Sequence, residues 1–290
     1  MPQSRPRAKE RACDKAIKET LSYRAVFKYP MSFYQLATFL ISKRKFGYKF
    51  FSKSLRRLVK KKTIGTKGGK YYLPLIKPHS WNIRDKQTKS LFVELAHVCN
   101  LFEAIPWIKL AAVTGALAMN NAEKDDDIDI FIITKKNRAW LTRGFVALLL
   151  SIHNKYAKGK NNKRKLCCSL FIDETKLAWN KGGRDLYIAH EIISIHPFIN
   201  RNNMYFKFMK ENTWALKYFP HYKISFGENN IRTDKCSFLV TLLEKLARQT
   251  QLLYMKPKRT SEIATKNMIH FNIHDHKNEI LGKFAETKGK

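Results

Sequence analysis

Acidic residues are scarce in this chain of 290 residues, and the scarcity is uneven. Lys and Arg number 56 against 23 Asp and Glu, which leaves a formal net charge of +33. No acidic residue lies between Glu19 and Asp85, although 16 basic residues occur there. A one-signed stretch of this length repels itself in a compact domain unless a polyanion binds it. The pattern predicts a nucleic-acid-binding segment; the alternative is a general lysine bias of the genome.

Long apolar runs and paired cysteines are also lacking. Mainly apolar stretches such as Phe145–Ile152 are well short of the about 20 residues that cross a bilayer. The N-terminus is polar and basic, without the apolar core of a signal peptide. Five cysteines without CxxC spacing indicate reduced thiols and no disulfide framework. With 44% hydrophobic residues, the chain is expected to be folded. The absence of a signal peptide, of a long apolar run and of paired cysteines predicts a cytoplasmic protein with no membrane partner. Its oligomeric state stays open.

Residues 11–75 have the layout of a winged helix. A first helix is predicted over Arg11–Phe27. Ser32 with Gln35 three residues later forms a capping-box pattern that begins a second helix. A third helix is predicted from about Ser52, and the turn Lys67-Gly68-Gly69 between Thr63-Ile64-Gly65 and Lys70-Tyr71-Tyr72-Leu73 predicts a hairpin. Three helices followed by a basic hairpin are typical of the winged form of the helix-turn-helix.

Basic side chains cover the predicted third helix and hairpin. They are Lys53, Arg56, Arg57, Lys60, Lys61, Lys67 and Lys70. In a winged helix the third helix enters the major groove and the hairpin touches the backbone. Lys and Arg in these places mainly contact phosphates, so DNA or RNA is the predicted partner. Small three-helix domains also serve as protein–protein modules, and that alternative stays open.

A second domain is predicted beyond a polar linker at 76–88. A helix from about Lys89 ends before Pro106, and Trp107–Val113 has the composition of a buried strand. This strand runs into a tight turn at Gly115.

Five acidic residues are concentrated in the seven positions from Glu123 to Asp129, a local anomaly in so basic a chain. The apolar segment that follows predicts a strand, and alternation along it places Asp127 and Asp129 on one face, about 7 Å apart. Two such carboxylates repel unless a cation neutralises them, and Mg²⁺ prefers hard oxygen ligands. Asp126 is an alternative ligand if the register shifts by one. The other interpretation is an acidic loop ahead of an ordinary strand.

Thr114-Gly115-Ala116 followed by Asp127-Ile128-Asp129 resembles the signature of the DNA polymerase beta superfamily of nucleotidyltransferases. That signature is an apolar residue, Gly, then Ser or Gly, and a later Asp-x-Asp strand. The fuller run through Asn121-Ala122 and Trp140-Leu141-Thr142-Arg143 resembles bacterial nucleotidyltransferase-domain proteins with a winged-helix-like N-terminus. The resemblance covers residues 15–285, and its most specific part is Val113–Thr134.

The resemblance implies that Asp127 and Asp129 hold two Mg²⁺ ions and that a nucleoside triphosphate is the substrate. Thr114, Gly115 and Ala116 would lie against its phosphates, since a glycine lets the backbone approach closely. Ala116 departs from the family's usual Ser and therefore lacks a hydroxyl donor.

Two residues are candidates for completing this site. Arg143, on a helix predicted over Arg138–Tyr156, is a candidate phosphate contact. Asp173, which closes the predicted strand Leu166–Ile172, is the candidate third carboxylate; otherwise it is a strand-end turn residue. Glu191 lies in an apolar helical segment, as either a buried hydrogen-bonded group or a site residue.

The predicted fold class is α+β. A nucleotidyltransferase α/β core with a small mixed sheet is expected over 89–180, and a helical C-terminal region over 181–285. Two functions compete. The first is Mg²⁺-dependent transfer of a nucleoside monophosphate to an unidentified hydroxyl. The second is a non-catalytic nucleic-acid-binding regulator whose degenerate transferase domain senses nucleotide. Ala116, and the open question of whether Asp173 is the third carboxylate, favour this second function.

Overall fold

The computed structural model describes residues 5–74, 76–157, 162–224, 238–256, 262–270 and 276–289. Within these ranges the fold is α+β, as predicted, with two sheets. No helix of the described ranges is both long and apolar enough to cross a membrane. The predicted domain boundary at 75 lies outside the described residues.

The N-terminal segment folds around one apolar core, with three helices and a small antiparallel sheet. Its elements are α1 (Arg5–Val26), β1 (Met31–Ser32), α2 (Phe33–Thr38), α3 (Tyr48–Lys60), β2 (Gly65–Lys67) and β3 (Lys70–Tyr72). The strand order is β1-β3-β2. The core includes Ile17, Leu36 and Leu55, each from a different helix.

The capping box that begins α2 is confirmed. The Gln35 backbone N–H donates to Ser32 Oγ at 3.2 Å, and the Ser32 N–H donates to Gln35 Oε1 at 2.9 Å. The hairpin is also confirmed, with Gly68 and Gly69 at φ of 56° and 71°. Helix α3 begins four residues before the predicted Ser52, because extended Gly47 ends the preceding loop and Tyr48 already has helical geometry.

The predicted start of the next helix was wrong. Helix α4 (Trp81–Ala96) begins inside the stretch expected to be a linker, and α5 (Cys99–Glu103) follows it. The first turns of α4 are rich in polar residues, so they lack the apolar periodicity from which a helix is predicted. Two of those polar residues, Arg84 and Thr88, are nevertheless buried.

The second sheet has six strands in the order β7-β4-β5-β6-β9-β8. Its strands are β4 (Ile108–Val113), β5 (Ile128–Thr134), β6 (Leu166–Asp173), β7 (His196–Asn200), β8 (Ile263–Ala264) and β9 (Met268–His270). Strands β5 and β6 are parallel and the other pairs are antiparallel, so the predicted mixed sheet is confirmed. The expectation of a helical region over 181–285 was incomplete, because β7, β8 and β9 come from it. These strands are too short to show an alternating pattern.

The remaining helices cover the two faces of this sheet. They are α6 (Gly115–Ala118), α7 (Ala139–Ile152), α8 (Leu186–Ser194), α9 (Met204–Glu211), α10 (Phe238–Met255) and α11 (His276–Gly289), with 3₁₀ turns at Lys181–Gly183 and Thr213–Lys217. Ile128, Ile130 and Ile132 of β5 pack on one face with α4, α5 and α7. Phe131 and Ile133 pack on the other face with α8 and α9, where α1 and α11 also contribute.

Candidate metal and nucleotide site

Two carboxylates and a thiol converge where β5 begins. Asp127 immediately precedes β5, Asp129 is its second residue, and Cys167 of β6 pairs with Asp129 across the sheet. One ligand atom from each of the three side chains lies within 4.8 Å of the others. Asp126, the alternative ligand, instead accepts a 2.7 Å hydrogen bond from the Glu123 backbone N–H. The structure therefore brings together the predicted pair and adds Cys167.

The turn after β4 shapes the site from the other side. Its first residue, Thr114, donates its backbone N–H to the Asp129 carbonyl at 2.9 Å. Gly115 has φ of 63°, and a Cβ built there would lie 2.7 Å from Asp129 Oδ2. The glycine therefore allows the Asp129 carboxylate to lie directly against the turn. Ala116 is exposed just beyond it, on the first turn of α6.

The negative charges in this site act on one another. Burial, followed by the negative charges of Asp127 and Glu191, raises the pKa of Asp129 to about 7. Burial and Asp126 raise the pKa of Asp127. Burial and the two aspartates raise the pKa of the Cys167 thiol to about 12. A bound divalent cation would oppose all three effects, so the donor set fits such an ion.

Helix α8 adds a third negative charge to the site. Glu191 is about one third exposed and contributes to the raised pKa of Asp129. Burial is the main cause of the raised pKa of Tyr187, one helical turn before Glu191, and the charges of Glu191 and Asp129 raise this pKa further. Of the two interpretations open from sequence, the partial exposure of Glu191 and its electrostatic effect on Asp129 favour the site residue over the buried group. No pattern in the sequence pointed to Tyr187.

A buried contact holds α8 against the N-terminal segment. Arg24 of α1 donates through Nη1 to Nε2 of His190 at 3.1 Å, and both side chains are almost completely buried. The Arg24 guanidinium also lies 4.7 Å from the centre of the Tyr29 ring. Since His190 precedes Glu191, the N-terminal segment helps to position the helix that carries this acid.

Asp173, the candidate third carboxylate, does not join the aspartate pair. Because β5 and β6 are parallel, Asp173 pairs with Thr134 at the far end, about 16 Å along the strand from Asp129. It is fully buried and accepts hydrogen bonds from the Asn137 N–H at 2.9 Å and from Asn267 Nδ2 at 2.7 Å. It organises the loops at that end, which agrees with the alternative of a strand-end turn residue.

Arg143 is also away from the site. Helix α7 packs on the face that carries Ile128 and Ile130, whereas Asp129 points to the opposite face with Phe131. The Arg143 guanidinium donates to the side chain of Gln251 in α10. The predicted phosphate contact was wrong, because the sequence did not reveal which face of the sheet α7 covers.

The predicted basic surface is present, with one exception. Lys53, Arg56, Lys60, Lys61 and Lys67 are exposed, and Lys70 is half-buried with its ammonium 5.7 Å from the Tyr29 ring centre. Arg57 instead turns inward, where its guanidinium pairs with Asp14 at 2.8 Å and Glu10 at 3.3 Å. These partners lie on α1, so their proximity could not be read from the local pattern.

Lys49 extends the basic surface to the first turn of α3. Lys49, Lys53, Arg56 and Lys60 recur at i, i+4, i+7 and i+11, so they form one exposed stripe along the helix. A groove of about 620 Å³ lies beside this stripe, lined by Tyr48, Lys49, Ser52, Lys53 and Arg56. The spacing from Lys53 would have identified Lys49, had the helix been predicted to start at Tyr48.

No known family model matches this chain, and the comparisons with curated proteins and with solved structures found no similar one. The functional assignment therefore depends on the geometry just described.

Gly115→Ala is expected to lower the free energy of unfolding by about 2–3 kcal/mol, because the new Cβ combines a strained φ with a clash against Asp129. Urea denaturation measures this change. Gly69→Ala is the matched control, since Gly69 also has positive φ but nothing within 4 Å of a built Cβ. We expect that control to cost only about 1 kcal/mol. Equal losses in the two variants would show that the close approach to Asp129 has no energetic consequence.

Asp129→Asn is expected to stabilise the metal-free protein above neutral pH. The pKa of Asp129 is about 7 in the folded state and about 3.9 in an unfolded chain. Between these values the folded state binds more protons, so the free energy of unfolding falls as the pH rises from about 4 to about 7. The asparagine side chain does not titrate, and the variant loses this slope. Since Asp129 keeps partial exposure, we expect a gain of about 1–3 kcal/mol near pH 8 and little difference near pH 4.

Urea denaturation with a chelator present, at several pH values, measures this difference. Asp125→Asn is the control, because Asp125 pairs with Lys163 at 2.8 Å and its pKa is lowered. That variant should not gain stability at high pH. If Asp129→Asn kept the wild-type pH slope, the raised pKa of Asp129 would be excluded.

Proposed function

We propose that this protein is a metal-dependent nucleotidyltransferase that transfers a nucleoside monophosphate from a nucleoside triphosphate to a hydroxyl acceptor. The observation that carries the proposal is the convergence of Asp127, Asp129 and Cys167 within 4.8 Å, against the turn at Gly115. In the reaction the acceptor oxygen attacks the α-phosphorus and loses its proton. The bond from that phosphorus to the bridging oxygen breaks, and pyrophosphate leaves.

Each part of the site has a role in this chemistry. Asp127 and Asp129 would hold the divalent cation, for which two Mg²⁺ ions are the expectation from the resemblance. A bound cation neutralises phosphate charge and stabilises the attacking and leaving oxygens. Gly115 leaves room for a phosphate to approach the backbone of the turn. Glu191 and Tyr187 of α8 interact electrostatically with Asp129 and are the proposed contacts for the acceptor.

The N-terminal segment is proposed to be a winged helix that binds nucleic acid. Its element order, α-β-α-α-β-β with sheet order β1-β3-β2, and its two-glycine hairpin agree with that fold. The exposed stripe of Lys49, Lys53, Arg56 and Lys60 is suited to a phosphate backbone. We propose DNA or RNA as the partner and the cytoplasm as the location, in keeping with four described cysteines that are all free.

Specific observations keep the second candidate function in view. Ala116 has no hydroxyl, Asp173 is remote, and the strand position beside Asp129 holds the thiol of Cys167 rather than a carboxylate. A thiol is a poor ligand for Mg²⁺. A site of this kind favours a nucleic-acid-binding regulator that senses nucleotide without transferring it.

One assay distinguishes the two functions. The protein is incubated with each α-labelled triphosphate, Mg²⁺ and a mixture of RNA, DNA and protein acceptors, with and without a chelator. Transferred label and equimolar pyrophosphate support the transferase. Saturable Mg²⁺-dependent binding of triphosphate without release of pyrophosphate supports the sensor. Absence of both excludes a nucleotide site at the aspartate pair.

A further inference from the structure

Helix α10 carries an exposed leucine stripe that neither proposed function uses. Leu239, Leu243, Leu246 and Leu253 are about half to seven tenths exposed. Together with Thr250 they are spaced by four, three, four and three residues. This spacing is the heptad repeat of a helix that pairs with another helix along a narrow seam. We define these five residues as the α10 seam.

The opposite side of α10 is already packed against the protein. The Glu244 carboxylate accepts hydrogen bonds from the Trp140 N–H at 3.0 Å and the Leu141 N–H at 2.8 Å, at the start of α7. Gln251 donates to the Trp140 carbonyl at 2.8 Å, and Met255 is buried in the core. These contacts fix the rotation of α10, so the seam faces outward.

Within α10 (Phe238–Met255), the seam and its two borders hold no charged residue. The flanking positions of the heptad hold Val240, Leu242, Ala247, Gln249 and Tyr254, while the charged residues Lys245 and Arg248 lie elsewhere on the helix. In a protein with a net charge of +33 most surfaces would repel a second copy. The α10 surface therefore permits close self-association where the rest of the chain opposes it.

The seam is symmetric about the point midway between Leu243 and Leu246. Leu239, Leu243, Leu246 and Thr250 are spaced by four, three and four residues, which is the same in both directions, so two antiparallel copies would place Leu243 of one over Leu246 of the other and Leu239 over Thr250. Thr250 Oγ1 donates to the Leu246 carbonyl at 3.0 Å within the helix, so its burial leaves no unpaired donor. An isologous two-fold contact requires this kind of self-complementary surface.

The exposed apolar area of α10 approaches the area that each partner buries in a standard interface. Leu242 and Tyr254 together with the four seam leucines expose an area on the order of 600 Å², the upper end of what monomers normally show. A standard interface buries about 800 Å² per partner. We infer that this protein is a homodimer in which the α10 seams of two copies pack antiparallel about the point midway between Leu243 and Leu246.

Sedimentation equilibrium of the nucleic-acid-free protein over a concentration series tests the dimer. Leu243→Lys with Leu246→Lys should weaken it by about a hundredfold or more, because each lysine would bury an unpaired ammonium. Leu148→Lys with Ile152→Lys is the matched control, since both are exposed aliphatic residues on α7, outside the seam. Circular dichroism checks that both variants fold. A wild-type monomer at every concentration, or equal effects of the two pairs, would overturn the inference.

Oxidative cross-linking tests the orientation independently of any loss of folding. A thiol oxidant such as diamide converts two nearby thiols to a disulfide and is itself reduced. Leu243→Cys and Leu246→Cys should cross-link when mixed, beyond the level of the wild type. Leu239→Cys and Thr250→Cys should cross-link when mixed but not when separate. Self-cross-linking of Leu253→Cys would exclude the antiparallel arrangement, and absence of cross-linking between Leu243→Cys and Leu246→Cys would exclude a seam contact.

Discussion

Asp127→Asn combined with Asp129→Asn is expected to reduce Mg²⁺-dependent nucleotidyl transfer by about a thousandfold or more. Metal-ion stabilisation of the transferred phosphoryl group contributes several kcal/mol, and about 1.4 kcal/mol corresponds to tenfold in rate. Asparagine keeps the shape of the side chain but removes the charge that would hold the cation. Pyrophosphate release measures the rate, and calorimetry measures Mg²⁺-dependent binding of the triphosphate.

The control for this variant removes two negative charges from the loop that leads into β5. Glu123→Gln with Asp125→Asn changes two acids that pair with Arg84 at 2.6 Å and Lys163 at 2.8 Å, away from the site. We expect that control to keep activity within a few fold of the wild type. If both double variants lost activity equally, the loop's total charge and not ligation by Asp127 and Asp129 would explain the loss. If neither changed triphosphate binding, the site assignment would be wrong.

Changing Lys49, Lys53, Arg56 and Lys60 to Ala is expected to weaken binding to duplex DNA by about a thousandfold at low salt. Each phosphate neutralised adds about −0.9 to the slope of log K against log salt, so losing four contacts should flatten the slope by three to four units. Because phosphate contacts carry no sequence information, all sequences should be weakened alike. Fluorescence anisotropy with the full chain over a salt series provides both quantities.

The matched control removes four exposed lysines from outside the N-terminal segment: Lys176, Lys181, Lys210 and Lys266. Both quadruple variants have the same net charge, so diffuse attraction is reduced equally. A much smaller loss in the control supports a specific interface on α3. Equal losses would mean that binding is only general attraction to a highly basic protein. Arg57 is excluded from the first set, because it pairs with Asp14 and Glu10.

Local patterns were sufficient for features that involve neighbours in the sequence. The Ser32–Gln35 capping box spans one helical turn, and the hairpin depends on two consecutive glycines with positive φ. The shared face of Asp127 and Asp129 follows from alternation over three residues. Each of these arrangements is decided by backbone geometry over a few residues, so the amino-acid sequence alone was enough.

Features that depend on which strands pair could not be predicted in this way. Both Cys167 and Asp173 lie in β6, and the sequence offered no means of knowing which end of that strand meets Asp129. The parallel register with β5 selected Cys167. Similarly, Arg143 carries a charge suited to phosphate, but the sheet separates α7 from the aspartates.

The amino-acid sequence by itself determined the excess of basic residues in the N-terminal segment, the helix and hairpin signals, and the aspartate pair beside a glycine turn. Only the tertiary structure decided that Cys167 lies beside that pair, that the charge of Glu191 acts on Asp129, that Arg57 faces α1, and that the α10 leucines stay exposed. The physical reason is the separation along the chain of the residues that interact. Capping, turns and side-chain alternation are set by interactions between near neighbours. Strand register, helix rotation and burial are set by packing between segments far apart in the chain.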